Sequence, residues 1–374
     1  MVDRIARGVS VQPVLTDRDY MDRALFLAQR GRGRTSPNPM VGAVVVSADG
    51  VVVGHGYHLR AGEAHAEVHA LDMAGTYARG GTLYSTLEPC SHMGRTGPCV
   101  VRIVEAGISR VVAAVVDPNP RVSGQGFAFL EAHGVRVDVG PGKDAATMLN
   151  QPFFTLVRQR RPFVILKAAI SQDGFIAATP GRPTRLTSPT ADRHAQRLRA
   201  EIDAIGVGVG TIIADDPLLT SRGAYRERPL TRVIFDGELR TPPGARVLST
   251  PDAGPVVIVT MRASADQTAR RQALEAKGAQ VAVAANGTMR AALDCLGERD
   301  LSSLLLEGGA AVHCAAWQEG VVDYVRLYVT PHVLGEGGLP FLAKCKFSTT
   351  ALGERHVVPL GPDVLIEGYV HGPR

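Results

Sequence analysis

The chain has 374 residues, 45% of them hydrophobic and 21% charged, with a formal net charge of +5. That length exceeds one ordinary core and points to two globular domains. The slight basic surplus, with no run of basic residues longer than Arg160-Arg161, suits a phosphorylated small substrate and is no nucleic-acid signature.

The opening residues, MVDRIARGVSVQPVL, lack the roughly 7–15-residue apolar core of a signal peptide. Thr16 reads as the cap of a helix through Arg30, with Met21, Leu25 and Ala28 on one face and Gly31 as its stop. Two β-rich runs, Val41–Val46 and Val51–Gly54, flank Asp49-Gly50 as a hairpin. A helix from about His65 to Met73 follows, then a strand at Thr82–Thr86 and a Gly/Pro-containing loop to Pro98. A helix from Cys99 to Ala106 and a strand at Arg110–Val116 come next. Near Leu149–Arg161 the texture changes to an amphipathic, basic stretch, and Pro162 starts a new strand at Phe163–Ala169. The domain boundary is placed there, giving domains 16–158 and 161–374. The second half again alternates, with a helix at Pro189–Glu201 and strands at Ala204–Val209, near Val233, near Val256 and at Ser303–Glu307. Strands alternating with helices predict two α/β domains. No window approaches the roughly 18 apolar residues of a membrane span. An odd count of five cysteines fits reduced thiols, so a cytoplasmic enzyme is expected.

The strongest local signal is His65-Ala66-Glu67, then Pro89-Cys90 and Pro98-Cys99. A catalytic zinc takes three protein ligands and leaves one position open, and one imidazole with two thiolates is such a set. Zinc can lower the pKa of a bound water to about 7. Attack on an amidine-like ring carbon also needs a proton shuttle that is not a ligand, and Glu67 fits that role. Cys99 opens a predicted helix, where backbone N–H groups favour thiolate. The general zinc-deaminase pattern has two residues between its cysteines, whereas this chain has SHMGRTGP. His55, His58, His69 and His133 read as ordinary core or surface histidines, and Cys295, Cys314 and Cys345 as buried thiols.

The strings SPNPMVG, HAEVHAL, TLEPCSHMGRTGPC and DPNPRVSGQG together resemble the bifunctional riboflavin-biosynthesis deaminase/reductase family, in which the long spacer is normal. The resemblance implies a cytidine-deaminase-like three-layer α/β/α domain with His65, Cys90 and Cys99 on zinc and Glu67 as acid/base. It further implies that Asn38, His92 and Arg95 contact a diaminopyrimidine carrying a ribose phosphate. An amide suits an amino/oxo ring edge and a guanidinium suits a phosphate. Gly97 stands where the family usually has a second proline, so a looser loop is expected.

The second half alone gives a weaker signal. KAAISQDGFIA offers a strand and turn, GVGTIIADDPLLTSR a Gly-rich strand end with paired carboxylates, and LLLEGGAAVHCAAW a buried strand, a Gly-Gly turn and a helix. Glycines between strand and helix let N–H groups approach a phosphate, which reads as a nucleotide or phosphate site. The family resemblance extends to these strings and to Pro331 with Leu334-Gly335, and implies a dihydrofolate-reductase-like α/β domain using NADPH to open the ribose to a ribityl chain. It implies Ala169, Arg185, Thr211, Asp215, Gly308 and Gly309 along the cofactor, with Asp215 nearest the reacting centre. Arg199, Leu219, Arg222 and Glu307 would contact the substrate, the arginines as fixed cations for its phosphate. One departure is Pro183-Thr184-Arg185-Leu186-Thr187, where the family has Ser-x-Trp-x-Thr, so altered cofactor packing is expected. The family also suggests a homodimer or higher homo-oligomer through the reductase domain.

Two other readings stand beside this one. A deaminase of tRNA bases or free nucleosides would show a basic stripe and exposed aromatics near the zinc pocket. Alternatively, the second half is a non-catalytic ligand-binding or dimerising module fused to an active deaminase.

Overall fold

The computed structural model describes residues 15–91, 97–120, 122–261, 267–342, 345 and 347–372. The chain divides into two compact units, Met1–Gly31 with Met40–Ala146, and Arg32–Pro39 with Thr147–Arg374. Both are α/β, as the alternation of strand and helix signals predicts.

The first unit opens with α1 (Asp17–Ala28), started by a capping box in which Thr16 and Asp19 satisfy each other's backbone N–H. It continues through β1 (Gly42–Val46), β2 (Val52–Tyr57), α2 (Ala66–Ala74), β3 (Thr82–Ser85), α3 (Cys99–Glu105), β4 (Arg110–Ala113), α4 (Gln125–Ala132) and β5 (Arg136–Val139). The sheet order is β2-β1-β3-β4-β5, with β1 antiparallel to both neighbours and β3, β4 and β5 parallel. Glycine lets helices lie on both faces. A Cβ on Gly42 would meet the Ala24 carbonyl of α1 at 2.0 Å, and one on Gly56 would meet the Ala66 carbonyl of α2 at 2.6 Å. Because Ala43 pairs with Gly56, Gly42 and Gly56 face opposite sides, which makes three layers.

Helices α5 (Lys143–Leu149) and α6 (Gln151–Gln159) lead to β6 (Phe163–Ile170), β7 (Phe175–Ala177), α7 (Pro189–Glu201), β8 (Ala204–Gly208), α8 (Val209–Asp215) and β9 (Thr231–Phe235). Strands β10 (Val256–Met261), β11 (Ala279–Ala284), β12 (Ser303–Gly308) and β13 (Tyr324–Val329) follow, then β14 (Leu339–Pro340), β15 (Gly353–Leu360) and β16 (Asp363–Tyr369). Nine strands form one sheet in the order β11-β10-β9-β8-β12-β6-β13-β16-β15. It is parallel from β11 to β13, and β16 and β15 then run antiparallel. Both faces are buried along the middle. Leu304 and Leu306 enter one apolar cluster while Leu305 enters the other, which explains the unbroken apolar run before Glu307. A buried bidentate pair, Arg161 donating to Asp323 at 2.6 and 2.8 Å, ties the entry of β6 to that of β13. No helix among the described residues is long and apolar enough to cross a membrane.

Candidate active sites

In the first unit, His65 sits at the N-cap of α2 in extended backbone, and Glu67 lies in the first turn. Cys90 is in the loop after β3, and Cys99 is the first residue of α3. The loop and helix are joined by Cys99 N–H donating to Cys90 Sγ at 3.3 Å and Val100 N–H to the Cys90 carbonyl at 3.3 Å. His65 Nδ1 lies 3.2 Å from Cys99 Sγ and 3.4 Å from Cys90 Sγ. These separations are close to the roughly 3.5 Å between an imidazole nitrogen and a thiolate sulfur sharing a tetrahedral zinc. Within 4.8 Å of one another, the three ligand atoms form the one such cluster among the described residues.

The proton inventory of this knot is organised by its hydrogen bonds. The Cys99 thiol, the Cys99 N–H and His65 all point to Cys90, which holds its thiol down at about 4. The same contact with Cys90 raises His65 to about 9, and it combines with burial to push Cys99 up. Glu67 is 3% exposed and accepts from Ser85 Oγ at 3.2 Å, and its other oxygen is 3.6 Å from Cys99 Sγ. Burial pushes its carboxyl up, with His65 opposing. A buried carboxyl beside three metal-type ligands is equipped to hold and release a proton.

Sequence reasoning passed over Glu88, two residues before Cys90. Its buried carboxylate accepts from the backbone N–H of Asp117 (3.1 Å), Gly124 (3.0 Å) and Gly126 (2.9 Å). It therefore fixes Asp117, Gly124 and Gly126 to the segment that carries the cysteine. A Cβ on Gly126 would meet the Pro89 carbonyl at 2.2 Å, so the glycine is required by close approach. The readable signal was an acid inside an otherwise apolar LEPC string. Asn38 falls in the segment Arg32–Pro39, which groups with the second unit, and its N–H donates to the Thr35 carbonyl at 2.9 Å. His92 and Arg95 lie outside the described residues.

In the second unit, a cavity of about 790 Å³ opens over the ends of β6, β8, β9 and β12. Ala169, Thr211, Asp215, Glu307, Gly308 and Gly309 all line it. Gly308 has φ 151°, and a Cβ on Gly309 would sit 3.2 Å from Thr211 Oγ1, so the Gly-Gly step keeps a narrow backbone cradle open before the helix Ala310–Gln318. The two aspartates divide their work: Asp215 lines the cavity with its carboxyl raised by burial, whereas Asp216 accepts from Arg246 N–H at 2.8 Å.

A second cavity of about 440 Å³ is lined by Arg199, Arg222, Arg193, Arg197 and Lys167. Lys167 lines both cavities, so they meet at β6. Arg199 donates to Glu307 at 2.7 and 2.6 Å and to the Thr220 carbonyl at 2.8 Å. Burial works against the Glu307 charge, but Arg199 and Lys167 overcome it and hold the carboxyl at about 2. Arg193 and Arg197, one helical turn apart on α7, were not singled out from sequence, although their i, i+4 spacing places them on one face. Two expected residues are elsewhere. Leu219, at φ 52°, is buried in an apolar cluster and lines neither cavity. Arg185 is exposed and pairs with Asp192 at 3.3 Å, while its neighbours Pro183 and Thr184 line the larger cavity.

A family model of the cytidine and deoxycytidylate deaminase zinc-binding region matches residues 15–115, and one of the RibD C-terminal domain matches residues 162–366. The matched domains and the His/Cys cluster imply Zn²⁺ and NADPH as cofactors. The riboflavin biosynthesis protein RibD of Aquifex aeolicus is 43% identical over 321 residues, covering 86% of this chain and 88% of that protein. The Escherichia coli protein of the same name is 38% identical over 373 residues, covering 94% and 99%. The structure of Acinetobacter baumannii RibD superposes with TM-score 0.84 at 35% identity, covering 94% of this chain and 98% of that one. A Thermotoga maritima diaminohydroxyphosphoribosylaminopyrimidine deaminase/5-amino-6-(5-phosphoribosylamino)uracil reductase follows at TM-score 0.78 and 33% identity, covering 94% and 97%. With a zinc-deaminase unit and a RibD reductase unit in one polypeptide, the chain belongs to the RibD family of bifunctional riboflavin-biosynthesis enzymes.

Proposed function

We propose that residues 16–158 hydrolytically deaminate 2,5-diamino-6-(5-phosphoribosylamino)pyrimidin-4-one. Residues 161–374 then reduce the ribose of 5-amino-6-(5-phosphoribosylamino)uracil to its ribityl chain. The observation that carries this reading is the knot of His65, Cys90 and Cys99 beside the buried Glu67. Those three residues would hold zinc, which would supply a Lewis acid for the attacking water. Glu67 takes a proton from the attacking water and delivers it to the departing ammonia, held in place by Ser85. Asn38, His92 and Arg95 complete the deaminase as substrate contacts.

In the reductase, the Gly308-Gly309 cradle, Thr211 and Ala169 would hold NADPH, which when bound would supply the hydride for ribose C1′, and Asp215, lining the same cavity, would face the reacting carbon. Arg199 is spent on Glu307 and Thr220, so its part is to fix Glu307 against the substrate, while Arg222, Arg193 and Arg197 offer guanidinium donors to the phosphate. The protein works in the cytoplasm as a homodimer or higher homo-oligomer through the reductase portion. Two features support this reading: the five cysteines, none of them in a disulfide, and β15, an edge strand exposed on both faces with Val357 and Val358 outward.

A coupled assay tests the function. Zinc-loaded protein is given the diaminopyrimidine ribose phosphate and NADPH, and ammonia release is followed together with nicotinamide absorbance. Both signals should appear, the second depending on the first. Ammonia without NADPH oxidation would reduce the second unit to a non-catalytic module, and no ammonia would remove the deaminase assignment.

A further inference from the structure

We propose that Arg240 binds the 2′-phosphate on the adenosine of NADPH and so makes the second unit select NADPH over NADH. The inference rests on the reading of that unit as a reductase. It starts from the sheet order, in which the strands ending at the large cavity run β9, β8, β12, β6. The β6 end is the substrate end, because Lys167 also lines the arginine-rich second cavity and Glu307 is bonded to Arg199 of that cavity. The middle is the glycine-lined part, Gly208 at the end of β8, Gly210 in the first turn of α8 and Gly308-Gly309 at the end of β12. Backbone that close and that bare suits a pyrophosphate. Three strand spacings of about 4.8 Å put β9 roughly 14 Å from β6, the reach of an extended dinucleotide.

With the nicotinamide at β6 and the pyrophosphate at the glycines, the adenosine end lies over β9. The residues there are Phe235, Gly237 and Arg240. Three cations line the cavity among the described residues. Lys167 stands at β6 and Arg182 in the segment after β7, which leaves Arg240 as the cation at the β9 end.

Arg240 is also held in place by design of its turn. The buried Asp236 accepts from the N–H of Arg240 at 3.0 Å, and from the N–H and Oγ1 of Thr241 at 2.7 Å each. This fixes the backbone from which the guanidinium projects, while its side chain stays 55% exposed and within reach of a ligand. The partner it has now is Glu238, at 3.6 Å and 65% exposed. Such a surface pair is weak, and a phosphate dianion accepting two guanidinium N–H bonds is the stronger partner. Glu238 therefore competes with the phosphate, and its removal should favour NADPH.

The test is equilibrium titration of the full-length, zinc-loaded protein with NADPH and with NADH, read by calorimetry. Wild type should bind NADPH more tightly. Arg240→Gln should weaken NADPH on the order of 10- to 100-fold, the loss of a charge-assisted pair, with NADH unchanged as an internal control for folding. Glu238→Gln should tighten NADPH alone, and 2′,5′-ADP should compete with NADPH in wild type but far less in Arg240→Gln. Equal wild-type affinity for the two cofactors, an equal loss of both in Arg240→Gln, or a shift in preference from Arg182→Gln instead would overturn the assignment while leaving the reductase intact. Binding of neither cofactor by wild type would remove the reductase reading and this inference with it.

Discussion

In the first unit, four side chains between residues 65 and 99 meet at separations of 3.2 to 3.6 Å, Glu67 and Cys99 buried, His65 and Cys90 half-buried, all joined by hydrogen bonds. In the second, the cavity draws on strand ends from Lys167 to Leu339, and many of its contributions are glycines and backbone. The contrast follows from who does the chemistry. On the proposed mechanism, proton transfer from the attacking water to the leaving nitrogen falls to the protein's own carboxyl, so the work is concentrated in few residues. Hydride transfer is the cofactor's chemistry, and the protein's share, orientation, is divided among many contacts.

That division can be broken by experiment. Glu67→Gln removes the shuttle but no zinc ligand, so ammonia release should fall about 10²- to 10⁴-fold, the usual worth of general acid–base catalysis. Metal analysis should still find zinc, and deaminated substrate should still oxidise NADPH. Retained ammonia release would sink the assignment.

A middle effect is expected on the stability of the second unit. The buried His313 donates through Nε2 to the Leu306 carbonyl at 3.2 Å, and its Nδ1 has no partner among the described residues. Burial holds the ring down at about 4, against 6.5 when unburied. The unfolded chain therefore binds the proton that the folded chain refuses, and stability falls as pH drops from 6.5 towards 4. From pH 8 to 5 the loss should be roughly 2 kcal/mol. Trp317, the single tryptophan, lies on the same helix and reports the unit's urea midpoint by fluorescence. His313→Asn should flatten the pH dependence; an unchanged slope would place its cause elsewhere.

The smallest effect sharpens the comparison from the other side. Asp215→Ala should slow NADPH oxidation only on the order of 10-fold, about 1.4 kcal/mol of barrier, because its neighbours still orient the cofactor. Deamination should stay near normal, and equal loss of both activities would mean damaged folding instead.

The same contrast decides what could be read in the sequence. A knot of side chains leaves a compact signature: HAE and two Pro-Cys pairs name their own chemistry, and the structure brings His65, Cys90 and Cys99 together. Helix α7 was legible to the residue, Pro189–Glu201, because Ser188 caps it and Pro189 suits its first turn. The sheet order was not, since β12 lies between β6 and β8 although it follows them by a hundred residues or more in the chain. Strand pairing at that separation is fixed by packing and leaves no local trace. The surroundings of Arg185 and Leu219 were not legible either: Arg185 stands where the sequence departs from the family pattern and its side chain pairs with Asp192, and Leu219 packs into the core. Glu88 shows the converse: its partners are backbone N–H groups, which no side-chain pattern can announce.

The grouping of Arg32–Pro39 with the second unit bears on how separable the two activities are. The polypeptide passes from one unit to the other three times, after Gly31, after Pro39 and after Ala146. The short loan is anchored: Ser36 Oγ donates at 2.6 Å to Asp203, a buried carboxylate that also serves Ser302, Ser303 and Arg228. A single cut near residue 146 would thus deliver a reductase missing one donor to a buried charge, and a deaminase carrying a short orphaned segment of reductase. Modules threaded this way behave as one inherited piece, and shuffling them requires two breaks and a splice instead of a simple scission.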